Sequence, residues 1–256
     1  MRVIASNPFG QLSQFSNTVT TQTFNGGAPP GSLAGDILRD SNSELSGSIG
    51  NGRLVLVRAP AQTFSSNVRV TISSFTPPAV LCPGATSIAF SIVNDPGLQP
   101  IGSLYFSFSF LPAELGTIPA SRALLLRYDP VSNTCVPLET SVDAANGWMT
   151  ARINHFSLFQ VGTVPLTTTA ETARVFPNPY YAARDGYVTI DNVPPLARVR
   201  IFTLRGEPVL DVKANSAGLL TWSGTNGHGR TVASGVYLVM VESGGSKKLL
   251  KLAVIR

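Results

Sequence analysis

Ser103-Leu104-Tyr105-Phe106-Ser107-Phe108-Ser109-Phe110-Leu111 alternates with period two: Leu104, Phe106, Phe108 and Phe110 share one side, Ser107 and Ser109 the other. Successive side chains of a strand point to opposite faces, so this stretch reads as a strand with one buried face. Comparable runs surround it. Leu54–Val57, Asn67–Phe75, Thr86–Val93, Ala123–Tyr128, Gly147–Ile153 and Phe156–Val161 are short, apolar or alternating, and divided by turn residues. About seven such strands need a second sheet to cover each apolar face, which points to a sandwich spanning residues 49–163.

Composition agrees. The chain has 256 residues, 43% hydrophobic and 13% charged, with 23 Gly and 19 Pro. Charged content is about half the usual share. Frequent turn formers between β-branched and aromatic runs mark an all-β chain, and no long segment carries helical periodicity. Length alone allows one or two domains. Residues 1–48 are rich in Ser, Thr, Asn, Gln and Gly and read as a poorly structured linker or an incomplete domain edge. Thr163 to Thr172 holds Pro165 and five threonines, and residues 164–173 read as a second linker. Strands resume at Arg174–Phe176, Tyr187–Ile190, Arg198–Leu204, Pro208–Val212, Leu219–Trp222, Val236–Val241 and Leu249–Ile255. They predict a second sandwich over 174–256, giving two immunoglobulin-like β-sandwich domains in tandem.

The formal charge of +5 is unevenly placed. Residues 1–170 hold eight basic and eight acidic side chains; residues 171–256 hold eleven and six. The basic residues are scattered over several strands without an aromatic stacking platform, which argues for a solvated surface and against nucleic acid. No apolar run is long enough for a helical membrane span. Met1-Arg2-Val3-Ile4-Ala5-Ser6-Asn7-Pro8 lacks the apolar core of a signal peptide, so an exported protein of this kind is expected to be the C-terminal part of a longer one. Cys82 and Cys135 match neither a metal motif nor a redox pair. Two readings stand: buried free thiols, or a disulfide closing a loop of just over fifty residues, worth on the order of 4 kcal/mol.

Within 174–256 five blocks occur in order: Phe176-Pro177-Asn178-Pro179-Tyr180, Val199 to Glu207, Gly218 to Trp222-Ser223-Gly224, Gly229 to Tyr237, and Lys248-Leu249-Leu250-Lys251-Leu252-Ala253-Val254-Ile255-Arg256. This region resembles the C-terminal sorting domain of the type IX secretion system and the related immunoglobulin-like domain of flagellar hook-capping proteins. Ser223 departs from the pattern, which often has Asp after the Trp. The resemblance implies an extracellular or cell-surface location and a secretion or cell-envelope partner. Physically, Pro177 and Pro179 remove ladder donors and belong at an edge or bend. Gly229 and Gly235 suit turns, Trp222 anchors a small core, and Tyr237 buries its ring with a wet hydroxyl. Lys248 and Arg256 bracket the last strand, where Leu250, Leu252 and Val254 are expected to face inward and Lys251 outward.

Asn154-His155-Phe156-Ser157 carries the one catalytic idea. It resembles the self-cleavage site of ankyrin- and netrin-receptor-type sandwich domains, where the Ser hydroxyl attacks the preceding carbonyl and His moves the proton. That chemistry needs a strained peptide and a nucleophile beside a base. The bland reading is a core Phe156 on the last strand, flanked by ordinary polar residues. His228 is the only other histidine, so no His-rich metal site forms, and Asp185 and Asp191 make no calcium loop. No metal or cofactor is expected, and the reading is of a non-enzyme: a structural stalk followed by a sorting or anchoring module. A ligand-binding module, for carbohydrate above all, is the rival; it needs an exposed aromatic row on one sheet face or a concave pocket, and Tyr105, Tyr128 and Trp148 are the candidates for such a row if exposed together.

Overall fold

The computed structural model describes residues 20–21, 29–50, 52–76 and 81–256. It is almost entirely β, with one four-residue helix at Ala182–Asp185. The expected poorly structured segment lies largely outside the described residues.

Two six-stranded sheets form the first sandwich. One runs in the order Thr20–Thr21, Ser43–Ile49, Arg53–Ala59, Leu104–Ser109, Trp148–Ile153, Thr140–Asp143. The other runs Ser32–Ile37, Val68–Ser74, Ala89–Asp95, Leu158–Gly162, Leu124–Asp129, Thr134–Pro137. The alternation in Leu104–Ser109 is realised: Leu104, Phe106 and Phe108 are fully buried. Phe90 from the opposite sheet meets Phe106 edge-on at 5.1 Å and Phe108 at 4.6 Å, the tilted geometries that aromatic quadrupoles favour.

Of the segment up to residue 48, expected as a linker or an incomplete domain edge, the last third belongs to the first sandwich. Ser32–Ile37 and Ser43–Ile49 are strands, one in each sheet, and they bury Leu33, Ala34, Ile37, Leu45 and Ile49. Their glycines have a packing reason. A Cβ at Gly35 would lie 2.5 Å from Leu45 Cδ1, and one at Gly47 2.8 Å from Leu33 Cδ1. Each glycine makes room for the leucine that crosses from the facing sheet, so a composition resembling a flexible segment serves close sheet packing.

The second sandwich pairs a three-stranded sheet (Arg174–Phe176, Val188–Asp191, Leu220–Trp222) with a five-stranded one. The latter runs Tyr180–Tyr181, Ser246–Ile255, Gly235–Ser243, Arg198–Thr203, Pro208–Lys213. Val188, Ile190, Val199, Ile201, Trp222, Val239, Val241, Leu252 and Val254 build its core. The expected free linker over 164–173 is tied at both ends. Arg122 donates to the Val164 carbonyl, and the 3-10 turn Ala170–Thr172 buries Ala170 in the second core, its N–H bonded to Ser246 Oγ.

Candidate functional site

The last strand, Ser246–Ile255, pairs antiparallel with Gly235–Ser243 along its whole length, from Ser246 opposite Ser243 to Val254 opposite Gly235. Leu252 and Val254 are buried, Leu250 packs partly buried against the same core, and Lys251 is exposed. On the strand's other edge, Tyr180–Tyr181 adds a short parallel pairing to Val254 and Ile255. Just before it, Asn178 takes the place of a neighbouring strand. Its Nδ2 donates to the Lys251 carbonyl at 2.9 Å, and its Oδ1 accepts from the Ala253 N–H at 3.0 Å. The amide thus presents one donor and one acceptor in the spacing of a β-ladder.

The flanking prolines make this possible. Neither Pro177 nor Pro179 carries an N–H to compete for the edge. Because the ladder alternates, Lys247 and Leu249 turn their backbone groups to the same edge as Lys251 and Ala253. Among the described residues no strand pairs with them there.

Arg256 closes the strand. Its N–H donates to Ser234 Oγ at 3.0 Å, its Nε to the Val232 carbonyl at 2.5 Å, and one terminal nitrogen to the Gly224 carbonyl at 2.8 Å. Gly224 has φ +72°, and a Cβ there would sit 2.9 Å from that guanidinium. At the strand's other end, Lys248 donates to the Glu171 carbonyl. Trp222 donates from Nε1 to the Thr225 carbonyl and meets the Tyr237 ring at 5.9 Å. The Tyr237 hydroxyl donates to the Ala233 carbonyl at 2.8 Å while its ring is buried. Gly229 has φ +76°, the turn geometry that glycine permits. Gly235 instead begins a strand, and a Cβ there would meet only the Tyr237 ring edge at 4.0 Å, so no turn demands glycine.

His155, Phe156 and Ser157 do not form a nucleophile-base pair in this arrangement. Ser157 Oγ donates to the Tyr128 carbonyl at 2.8 Å. Phe156 is buried against Phe64, and its N–H is held by Gln99 Oε1 at 2.7 Å. His155 Nδ1 is buried without a partner, and burial, with Arg127 nearby, holds its pKa below the ordinary imidazole value. Asp185 and Asp191 are likewise occupied, by Tyr181 N–H with Arg184 and by Arg174 respectively. Among the described residues no group of three or more His, Cys, Asp or Glu side chains is placed to hold a metal ion.

Cys82 and Cys135 are bonded, with Cα atoms 5.7 Å apart and a sequence separation of 53. The bridge sits where the two sandwiches meet. Cys82 clusters with Leu124, Leu126 and Ala217, the last from the second sandwich. Nearby, Ser216 Oγ donates to the Ser121 carbonyl. A second contact lies at the other end of the junction. Tyr187 donates its hydroxyl to the Arg152 carbonyl at 3.1 Å while the Arg152 guanidinium covers its ring at 4.6 Å, and Asn154 donates to the Asp185 carbonyl. Sequence reasoning did not find Tyr187, Arg152 or Asn154 as junction residues; nothing in their local pattern distinguishes an interdomain partner from a solvated side chain.

No family model and no curated protein matches the chain. Among solved structures it is similar to PorZ, an essential bacterial surface component of the type IX secretion system of Porphyromonas gingivalis, at 16% identity and a TM-score of 0.32. That match covers 83% of this chain and 38% of PorZ. It is also similar to dimeric latent PorU from the same organism, at 13% identity and a TM-score of 0.26, over 98% of this chain and 33% of PorU. The chain thus spans well under half the length of either. Overlap this distant carries no argument about function, which rests on the residues themselves. No helix among the described residues is long and apolar enough to cross a membrane.

Proposed function

We propose that the chain belongs to a bacterial secreted or cell-surface protein in which the second sandwich is a sorting or anchoring module and the first a non-catalytic structural stalk. The observation that carries this reading is the way Asn178 engages the last strand. The Pro-Asn-Pro segment covers the strand's edge at Lys251 and Ala253, while at Lys247–Leu249 no strand pairs among the described residues and the 3-10 turn Ala170–Thr172 packs against that end. Such a half-covered edge offers main-chain groups to a partner strand without inviting uncontrolled pairing along its whole length. The five-block resemblance supports the sorting role. The Cys82–Cys135 disulfide supports an oxidising, extracytoplasmic location.

The test is export of a reporter that carries a signal peptide and is fused ahead of the full chain, in a host with a type IX system. The fusion is expected at the cell surface or in the medium, and versions lacking Lys248–Arg256 or carrying Asn178→Ala are expected to be retained in the periplasm. Equal periplasmic retention of all three overturns the proposal.

A further inference from the structure

The chain holds eight Tyr and Trp side chains. Five of them spend their polar group on a hydrogen bond within the protein: Tyr128 with Asn133, Tyr180 with the Gly186 and Ser223 carbonyls, Tyr187, Trp222 and Tyr237. Buried or structural Tyr and Trp normally do so. Tyr105 and Trp148 make no such bond among the described residues, and they share one surface, the outer face of the sheet containing Leu104–Ser109 and Trp148–Ile153.

Their placement follows from register. Trp148 lies opposite Ser109, and Tyr105 lies four residues back along the Ser109 strand, opposite Arg152. At the rise of a strand the two aromatics are about 13 Å apart on the same side. Tyr105 is 37% exposed and Trp148 half-buried. Between them the floor is hydroxylic. Ser107 faces Thr150 directly, their oxygens 2.9 Å apart, and Ser141 continues the row on the next strand. Tyr128 is not part of this surface, since it lies in the opposite sheet opposite Cys135.

The charges bordering the face are paired apart from Glu139, whose carbonyl accepts from the Arg152 N–H at the end of the next strand. Arg58 bonds Glu44 at 2.9 Å, Arg152 donates to the Gly186 carbonyl and caps Tyr187, and Asp143 accepts from Asn146. An anionic ligand finds no uncommitted cation in these side chains, and a single carboxylate at the rim does not make a site for a cationic one. A neutral ligand with flat apolar faces and many hydroxyls fits both parts: its faces stack on the aromatic rings, and its hydroxyls exchange hydrogen bonds with Ser107, Thr150 and the Trp148 N–H.

We propose that this outer sheet face binds a neutral polysaccharide, with sugar rings seated on Trp148 and Tyr105 and the chain between them bonded to Ser107 and Thr150. The site belongs to the first sandwich and stands independently of any sorting role for the second. It gives the stalk an adhesive function on cell-wall or extracellular glycan.

The test is co-sedimentation of the full chain with particulate cellulose, chitin, insoluble mannan and insoluble xylan, at high salt to suppress attachment through net charge. The wild type is expected to sediment with at least one of them. Trp148→Ala and Tyr105→Ala are each expected to weaken retention tenfold or more, and Val131→Ala, at an exposed apolar side chain outside both sites, to leave it unchanged. Thermal unfolding of each variant confirms that it is folded, and Trp148→Phe, which keeps a ring, is expected to restore part of the retention. Failure of the wild type to sediment with any of the four overturns the proposal. Retention that survives both Trp148→Ala and Tyr105→Ala overturns it equally.

Discussion

The Asn178 side chain and the Lys251 backbone are joined across 73 positions of sequence by an Nδ2–H to carbonyl bond of 2.9 Å, and Ala253 N–H returns a second bond to the same amide at 3.0 Å. One side chain thereby does the work of a neighbouring strand. The relationship links the opening of the second sandwich to its last strand, and it gives the Pro-Asn-Pro segment a structural purpose that alanine cannot serve.

Asn178→Ala removes both bonds. The groups it leaves are near solvent, so water recovers part of the loss, and the expected destabilisation is about 0.5–1.5 kcal/mol. Urea unfolding reads this figure. The Ala253 amide is expected to exchange faster in the variant, while amides in the first sandwich remain unchanged.

Tyr187 predicts an alkaline pH dependence. Burial, the dominant cause, raises its pKa from 10.0 to about 12. Between those values the unfolded chain has released the proton and the folded chain has not, so stability falls as pH rises. The contribution is complete below pH 10 and lost by about pH 12, and it amounts to about 2–3 kcal/mol. Burial also raises the pKa of Tyr180, which adds in the same direction. Tyr187→Phe is therefore expected to flatten, without abolishing, the fall in denaturation midpoint between pH 10 and 12.

Cys82→Ser with Cys135→Ser is expected to cost about 4 kcal/mol, the chain-entropy value for a loop of this size. Since Cys82 packs with Ala217, the loss is expected to loosen the contact between the sandwiches as well. Limited proteolysis within residues 164–173 measures that loosening, and faster cleavage in the double variant is the expected result.

Purified protein is expected to give one intact mass. Ser157 Oγ is committed to the Tyr128 carbonyl, and Gln99 fixes the Phe156 N–H. Fragments ending at Phe156 and beginning at Ser157, detected by mass spectrometry after days at neutral pH, would show that the hydroxyl reaches its own peptide.

Strands with strong alternation were legible in the sequence because burial on one face leaves a period of two. Leu104–Ser109 and Arg198–Thr203 are clear cases, with burial patterns that follow their apolar residues. The strands missed are those whose local composition opposes the rule. Ser43–Ile49 buries a serine and carries a glycine, and its identity comes from the leucine of the facing sheet that needs the space. Thr134–Pro137 and Thr140–Asp143 are four residues each, too short to show a period. In the candidate site, the motif residues were visible but the role of Asn178 was not, because a side chain that imitates a strand is defined by partners more than seventy residues away. The junction made by Tyr187 and Arg152 was invisible for the same reason.

Hydrogen exchange followed by mass spectrometry on the intact, oxidised chain addresses the central structural claim, that the last strand is an integral, clamped part of the second sheet. Amides of Lys248, Leu250, Leu252 and Val254, which face the neighbouring strand, are expected to exchange in the slowest class of the second sandwich, together with those of Val199, Ile201, Val239 and Val241. Exchange of that strand on the timescale of an unprotected peptide, while the rest of the second sandwich stays protected, would contradict the account.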